Sequence, residues 1–167
     1  HLNVLGAVLM AKNKVLVVDD NLDIRLFVKA ALEAEGIEIL LAENGVKALE
    51  IFKSNDLAAI ILDLSIGQPD GFEVCRQIRK SSSVPIIMLT SHVEEMDEAM
   101  CLAAGADDYI TKPVSARILV LRTATQLRHR ARQSREASTV MNAGPLSLDS
   151  ASRELQVDGI KVPLTRI

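Results

Sequence analysis

Two patterns of apolar and polar positions alternate along the first 132 residues of the chain. The first consists of short runs of Val, Ile and Leu without regular polar alternation, which is typical of strands buried on both faces of a parallel sheet. The predicted strands are KVLVV (14–18), IEILL (37–41), LAAIILDL (57–64), VPIIMLT (84–90) and DYIT (108–111).

The second pattern is helical and follows each of these strands. In the first such segment Ile24, Phe27, Val28 and Leu32 recur on one helix face, and Gly36 follows as a stop signal. The predicted helices cover residues 22–34, 44–53, 71–80, 94–104 and 115–132.

Strands that alternate with helices imply right-handed crossovers and therefore a parallel sheet. Five such repeats predict an α/β fold, a (βα)5 doubly wound sheet of the flavodoxin type. Its strand order, 2-1-3-4-5, is supplied by analogy with folds of this class.

The rest of the chain falls into three further segments. Residues 1–12 open with a short apolar stretch that lacks the features of a signal peptide, and we interpret them as a tag or upstream extension. Residues 133–142 are polar without apolar periodicity, which predicts a linker. Residues 143–167 contain LSLD, ELQV and IKVPL, which predict short antiparallel strands, in a segment too small for an independent domain.

Charge is distributed unevenly along the chain. Residues 1–112 carry 10 basic and 18 acidic side chains, whereas residues 113–167 carry 9 basic and 4 acidic ones. The acidic front half argues against direct nucleic-acid binding there. No apolar run is long enough for a membrane span. The two cysteines, Cys75 and Cys101, lack metal-ligand spacing and fit a cytoplasmic protein.

Polar residues stand at the carboxyl ends of four predicted strands, where open parallel sheets bind ligands. They are Asp19 and Asp20 after the first strand, Asp63 after the third, Thr90 after the fourth and Lys112 after the fifth. Three carboxylates in one crevice require a cation, and oxygen ligands suit Mg²⁺. Asp63 is then a candidate nucleophile, because aspartate forms acyl phosphates.

Each of these residues has an ordinary explanation when it is taken alone. A pair of acids after a strand is usually a solvated loop or a helix cap, and a strand-end threonine usually bonds to backbone. Their conjunction at the correct strand ends favours a shared site over separate surface groups.

The motifs VLVVDD, ILDL, IIMLTS and GADDYITKPV resemble those of the receiver domain of two-component response regulators, the CheY-like fold, over residues 13–132. This resemblance implies that Asp19, Asp20, Asp63 and the backbone carbonyl of Ser65 hold Mg²⁺. It further implies that a sensor histidine kinase phosphorylates Asp63. Thr90 and Lys112 would contact the phosphoryl group, and Tyr109 would be the aromatic switch residue.

Residues 143–167 resemble the start of an OmpR/PhoB-type winged-helix effector, with VPLTRI matching the strand that leads into its first helix. The recognition helix is absent from this sequence. We therefore expect DNA binding by the full-length protein only.

The sequence departs from the family pattern at several positions. Gly67 stands where a proline is common, and Pro69 follows two residues later. His92 lies at a position that often tunes phosphate lifetime in the family, although an exposed loop histidine without that role is the favoured interpretation. The resemblance predicts a homodimer through the fourth helix, fifth strand and fifth helix. Glu98 and Ile118 replace its usual lysine–glutamate pair, while Asp107, Asp108 and Arg122 stay available for cross-dimer contacts.

Three functions remain to be compared. The first is a phosphorylation-switched transcription regulator that catalyses only its own phosphorylation and dephosphorylation. The second is a pseudo-receiver that dimerises without phosphate. The third, an aspartyl-phosphate hydrolase of the haloacid dehalogenase type, is disfavoured because that chemistry requires Asp-x-Asp, and here Asp19 and Asp20 are adjacent.

Overall fold

The computed structural model describes residues 13–91, 95–138, 140–143, 146–149, 154–157 and 160–162. The interpretations of residues 1–12 and of His92 lie outside this part of the chain, as does the side chain of Glu98. The helices are α1 (Leu22–Glu33), α2 (Gly45–Ser54), α3 (Gly71–Arg79), α4 (Glu95–Ala103) and α5 (Ala116–Ser138). The strands are β1 (Lys14–Val18), β2 (Glu38–Ala42), β3 (Ala59–Asp63), β4 (Ile86–Thr90), β5 (Asp108–Thr111), β6 (Val140–Ala143), β7 (Leu146–Asp149), β8 (Glu154–Val157) and β9 (Ile160–Val162).

Strands β1 to β5 form one parallel sheet in the order β2-β1-β3-β4-β5, which confirms the predicted doubly wound fold. Side chains on both faces of the sheet are buried. Leu16, Leu62 and Met88 belong to the core on one face, and Val17 and Ile61 belong to the core on the other. Burial on both faces explains why these strands appear in the sequence as continuous apolar runs.

Three helices begin with an amide or carboxylate cap close to the carboxyl ends of the strands. The side chain of Asn21 accepts hydrogen bonds from the N–H groups of Asp23 and Ile24 at the start of α1. Asn44 caps α2 and Asp70 caps α3 in the same way. These caps satisfy backbone donors that have no partner inside the helix. They fix where each strand-to-helix loop ends, and so define the edge of the sheet that carries the acidic residues.

The β3–α3 loop has a shape that the family's usual proline would not allow. Gly67 has a φ of 85°, in the left-handed region, whereas a proline ring fixes φ near −65°. Ile66, one residue earlier, is buried. Glycine at position 67 therefore goes with a loop conformation that a proline at the same position could not adopt.

The structure differs from the prediction in the segment interpreted as a linker. Helix α5 continues to Ser138 instead of ending at residue 132, and β6 begins at Val140. Gln, Arg, Glu and Ala are good helix formers, so the polar sequence after residue 132 indicates exposure and not the absence of helix. The predicted end of the fifth helix at residue 132 is therefore wrong, whereas the role of residues 133–142 as a linker stays a prediction.

Strands β6 to β9 form a separate antiparallel sheet in sequential order. Three of its strands fall within the predicted LSLD, ELQV and IKVPL segments, and β6 was not predicted. Among the described helices, none has the length and apolar character to cross a membrane.

Candidate functional site

The three predicted acidic ligands lie together at the carboxyl edge of the parallel sheet. Asp19 directly follows β1 and is fully buried, Asp63 ends β3 and is 5 % exposed, and Asp20 is exposed. One carboxylate oxygen from each residue lies within 4.8 Å of the others. The site therefore has a buried floor formed by two acids and an open side formed by the third.

Lys112 connects the two buried acids. Its Nζ lies 2.7 Å from Asp19 Oδ2 and 3.3 Å from Asp63 Oδ1, and its side chain is only 16 % exposed. Two carboxylates about 4 Å apart repel by roughly 4 kcal/mol at an effective dielectric near 20. The ammonium group offsets this repulsion for two of the three acids, and the third is left facing solvent.

The electrostatics of Asp63 and Lys112 reflect this crowding. Burial and the neighbouring charge of Asp19 raise the pKa of Asp63, against the opposing effects of Lys112 and the backbone N–H of Ser65. Burial by itself lowers the pKa of Lys112, but its hydrogen bond to Asp19 and the charges of Asp63 and Asp19 outweigh burial, so this pKa is raised. Lys112 is thus held in the charged form, and Asp63 binds a proton more tightly than an ordinary aspartate does.

The donor set fits magnesium. An octahedral Mg²⁺ with bonds of about 2.0–2.1 Å places its ligand oxygens about 3–4 Å apart. One oxygen from each of the three carboxylates already lies within 4.8 Å of the other two, which is close to that spacing. The carbonyl of Ser65 as a fourth ligand stays a prediction, although this residue does lie beside the Asp63 carboxylate through its N–H.

Thr90 lies on β4, which is next to β3, and Tyr109 lies on β5, the edge strand next to β4. Thr90 ends β4 and is 2 % exposed, and its carbonyl accepts a hydrogen bond of 2.7 Å from the N–H of Lys112. This bond ties the ends of β4 and β5 together and places Lys112 next to Thr90. Tyr109 is half-buried in β5 opposite Met88, against the hydrophobic core. Its role as a switch residue stays a prediction.

One residue of the site, Arg25, was not predicted from the sequence. Arg25 Nη1 donates a hydrogen bond of 2.6 Å to the backbone carbonyl of Asp19. Side chains in a helix tilt toward its N-terminus, so a residue one turn after the Asn21 cap reaches back to the end of β1. The start of this helix at residue 22 was predicted, but the direction taken by the Arg25 side chain was not.

The predicted dimer face contains charges that are already paired within the chain. Asp107 Oδ2 accepts hydrogen bonds from Arg79 Nη2 at 2.6 Å and from the N–H of Ile86 at 2.8 Å. Arg122 pairs with Asp108 at 3.1 Å. The prediction that these groups are available for cross-dimer pairs therefore differs from the structure, because a partner would have to compete with these bonds.

The same face also has an apolar component. Leu102 and Ile118 are 52 % and 45 % exposed, and they line a shallow groove together with Tyr109 and Arg122. Ile118 thus presents an apolar surface where the family commonly has a glutamate.

Comparisons with known proteins agree with this geometry. The family described as response regulator receiver domain matches residues 15–124. The transcriptional regulatory protein ResD of Bacillus subtilis is 40 % identical over 159 residues, which cover 92 % of this chain and 66 % of ResD. The chain thus spans slightly less than two thirds of that relative.

Two solved structures show the same architecture. The receiver domain of the Francisella response regulator 1452 matches with a TM-score of 0.68 and 31 % identity over 71 % of this chain and 98 % of that one. The response regulator DrrB of Thermotoga maritima, described as an OmpR/PhoB homologue, matches with a TM-score of 0.62 and 26 % identity. That match covers 92 % of this chain and 67 % of DrrB.

Proposed function

The chain belongs to the response regulator receiver domain family, and from this premise we propose that it accepts a phosphoryl group on Asp63 from a sensor histidine kinase in a Mg²⁺-dependent reaction. The resulting acyl phosphate switches a transcription-regulator output in the full-length protein. The chain catalyses no reaction other than its own phosphorylation and dephosphorylation.

The single observation that carries this proposal is the contact of one lysine with two buried carboxylates at the sheet edge. In the proposed reaction an Asp63 oxygen attacks phosphorus, the bond from phosphorus to the donor's imidazole nitrogen breaks, and the imidazole leaves with the electron pair. Asp19, Asp20 and Asp63 would hold magnesium, which would supply positive charge to the transferring oxygens. Lys112, whose Nζ lies 3.3 Å from Asp63 Oδ1, would donate to the phosphoryl oxygens of the product.

Phosphorylation by acetyl phosphate, followed by mass mapping, tests the assignment. We expect one Mg²⁺-dependent phosphoryl group on the wild-type chain and none on Asp63→Asn. Asp56→Asn is the matched control, because Asp56 is an exposed aspartate elsewhere on the domain. Equal labelling of Asp63→Asn and wild type would refute the proposal.

An exposed apolar patch beside the pocket supports the kinase as partner. Leu22, Leu26 and Phe27 on α1 are 54 %, 49 % and 41 % exposed, and α1 begins two residues after Asp20. A helical partner seated on this patch would present its phosphohistidine to Asp63. Leu26→Asp should slow transfer from the kinase but not from acetyl phosphate, whereas Val46→Asp, an equally exposed site on α2, should change neither rate.

The DNA-binding output rests on the antiparallel sheet and on the relatives. Strands β6 to β9 follow the receiver domain as the first sheet of an OmpR/PhoB-type effector would, and the match to DrrB, at 92 % of this chain, is longer than the receiver domain alone. A full-length protein should bind DNA more tightly after phosphorylation, and the present chain should not bind it. Tight DNA binding by the present chain would contradict the proposal that only the full-length protein binds DNA.

A second candidate function, a pseudo-receiver that dimerises without phosphate, is favoured by the exposed Ile118 and Leu102. Light scattering with and without the phosphoryl mimic beryllofluoride separates the two. A monomer that becomes a dimer supports the phosphorylation switch through α4, β5 and α5. A dimer of unchanged size in both conditions supports the second function.

A further inference from the structure

The environments of the three acidic ligands differ in how each side chain is held. The carboxylate of Asp19 is bonded at both oxygens, by the N–H of Asn21 at 2.9 Å and by Lys112 at 2.7 Å. Asp63 is buried and contacts Lys112. Asp20 is exposed, and within the described part of the chain no hydrogen bond to its side chain is found. The position of Asp20 must therefore be set by its backbone.

Both peptide groups that flank Asp20 are fixed by side chains. The carbonyl of Asp19, in the peptide before Asp20, accepts the hydrogen bond from Arg25 Nη1 at 2.6 Å. The N–H of Asn21, in the peptide after Asp20, donates to the Asp19 carboxylate. Two fixed peptide planes determine the φ and ψ of the residue between them, and so determine the direction of its Cβ. These two hydrogen bonds therefore set the direction in which the Asp20 side chain leaves the backbone, and one of its carboxylate oxygens lies within 4.8 Å of oxygens of the other two acids.

Arg25 is itself well placed for this role. It lies one turn after the Asn21 cap, and its own N–H donates to the carbonyl of Asn21 at 3.1 Å, so its backbone belongs to the regular part of α1. A guanidinium group directs its donors from a rigid plane, unlike the ammonium group of a lysine. The hydrogen bond from Arg25 therefore transfers the rigidity of the helix to the peptide between Asp19 and Asp20.

We infer that Arg25 is a positioning residue that orients Asp20 for magnesium. The inference rests on the proposed function, because it presupposes that Asp20 binds the metal. Arg25 is not one of the acidic ligands. If it positions Asp20, its side chain strengthens magnesium binding even though it carries a positive charge. A nearby positive charge by itself weakens cation binding, whereas loss of an orienting outer partner costs about 10–100-fold in metal affinity.

This opposition of signs makes the inference testable by titrating magnesium alone into the protein by isothermal calorimetry at constant ionic strength. If Arg25 acted only through its charge, Arg25→Met would bind Mg²⁺ more tightly and Arg25→Lys would bind like wild type. If Arg25 positions Asp20, Arg25→Met should bind about tenfold or more weakly. Arg25→Lys should also weaken binding, because the charge is kept and the rigid fork is lost.

Lys29→Met is the matched control. Lys29 lies one turn further along α1 and makes an exposed ion pair with Glu33 at 3.8 Å, so its loss removes the same charge from the same helix without touching Asp19. Its Mg²⁺ affinity should stay at the wild-type value or rise slightly. The amide ¹H–¹⁵N signals of Asp20 and Asn21 give a second readout, and they should shift in the Arg25 variants and not in Lys29→Met.

The outcomes distinguish this inference from the proposed function. Wild-type protein that binds no magnesium would overturn both. Wild-type protein that binds magnesium, with both Arg25 variants equally tight or tighter, would overturn the role of Arg25 alone. If Arg25→Met does not fold, Arg25→Lys decides the question by itself, because unchanged affinity in that variant contradicts positioning and weakened affinity supports it.

Discussion

The acidic pocket and the face formed by α4, β5 and α5 both carry carboxylates next to basic side chains, but they use them differently. In the pocket, Asp19 is fully buried and Lys112 is 16 % exposed, and the two residues come from opposite ends of the domain. On the face, Arg122 is 53 % exposed and pairs with Asp108, which lies only 14 residues away. The pair in the pocket joins residues that the whole sheet brings together, whereas the pair on the face joins the neighbouring elements β5 and α5.

This difference determines what each ion pair contributes. Exposed pairs contribute about 0–1 kcal/mol, because water and salt screen them. Removing one partner of a buried pair costs about 3–5 kcal/mol, because an uncompensated charge is left in a poorly solvated place. The pair of Arg79 and Asp107, with side chains 21 % and 40 % exposed, is about as exposed as the pair of Arg122 and Asp108, at 53 % and 14 %. The buried pair in the pocket should therefore be the most sensitive to mutation, and the other two pairs should differ through the further hydrogen bonds that each arginine makes.

Lys112→Met should have the largest effect among the three pairs. It leaves the carboxylates of Asp19 and Asp63 without their shared cation, so we expect a loss of about 3 kcal/mol in the free energy of unfolding, measured with urea in EDTA at pH 7.5. Magnesium should restore part of this loss by replacing the missing positive charge. Lys53→Met, at an exposed site on α2, should change stability little. A loss below about 1 kcal/mol for Lys112→Met would mean that the ion pairs in the pocket contribute no more to stability than exposed surface pairs do.

Arg79→Met should follow with a loss of about 2 kcal/mol, which corresponds to hydrogen bonds made by a charged donor. The guanidinium of Arg79 donates to the carbonyls of Gly105 at 2.7 Å and Val84 at 2.6 Å in addition to Asp107. It thereby joins α3 to the turns before β4 and β5. Arg76→Met is the control, because Arg76 lies on the same helix and forms only an exposed pair with Glu73. Equal unfolding midpoints for the two variants would show that the network adds nothing beyond surface charge.

The parts of the molecule that the sequence predicted well are those with strong periodicity. The inner strands β1, β3 and β4 were predicted because burial on both faces leaves an uninterrupted apolar run, and the acids at their ends were placed together because a parallel sheet gathers its carboxyl ends at one edge. Asp19, Asp63 and Lys112 meet for this reason, although Asp19 and Lys112 are separated by 93 residues.

What the sequence did not predict depends on geometry that no local pattern encodes. The reach of Arg25 to the carbonyl of Asp19 follows from where the Asn21 cap starts α1, and the engagement of Asp107 by Arg79 follows from the packing of α3 against the turn at Gly105. The continuation of α5 to Ser138 was missed because polarity was read as lack of structure. Exposure and helicity are independent properties, so composition by itself does not separate them.

Asp63→Asn should raise the melting temperature in EDTA at pH 7.5 by a few degrees. Because burial and Asp19 raise the pKa of Asp63 in the folded state, the folded protein binds this proton more tightly than the unfolded chain does. Stability then falls as pH rises from the ordinary value of 3.8 through the raised pKa, and the loss persists above it. The asparagine variant lacks this loss, so its advantage should shrink toward pH 4. Magnesium should stabilise wild type more than Asp63→Asn, and a variant less stable than wild type in EDTA would contradict the crowding of charge in the pocket.

Arg122→Met should have the smallest effect on the stability of the monomer, about 1 kcal/mol or less, because Arg122 is 53 % exposed and, within the described residues, its hydrogen bonds go to Asp108 alone. Its consequence should appear in assembly instead. If Arg122 exchanges its bond to Asp108 for one to a second copy in the phosphorylated state, the variant should weaken the dimer formed with beryllofluoride, and the dimer's dependence on salt should decrease.

If the apolar surface of Ile118 and Leu102 carries the dimer, Ile118→Asp should disrupt it while Arg122→Met leaves both the dimer and its salt dependence unchanged. Light scattering at two salt concentrations separates these cases, and so tests whether the exposed pair on this face acts between chains while the buried pair in the pocket acts within one.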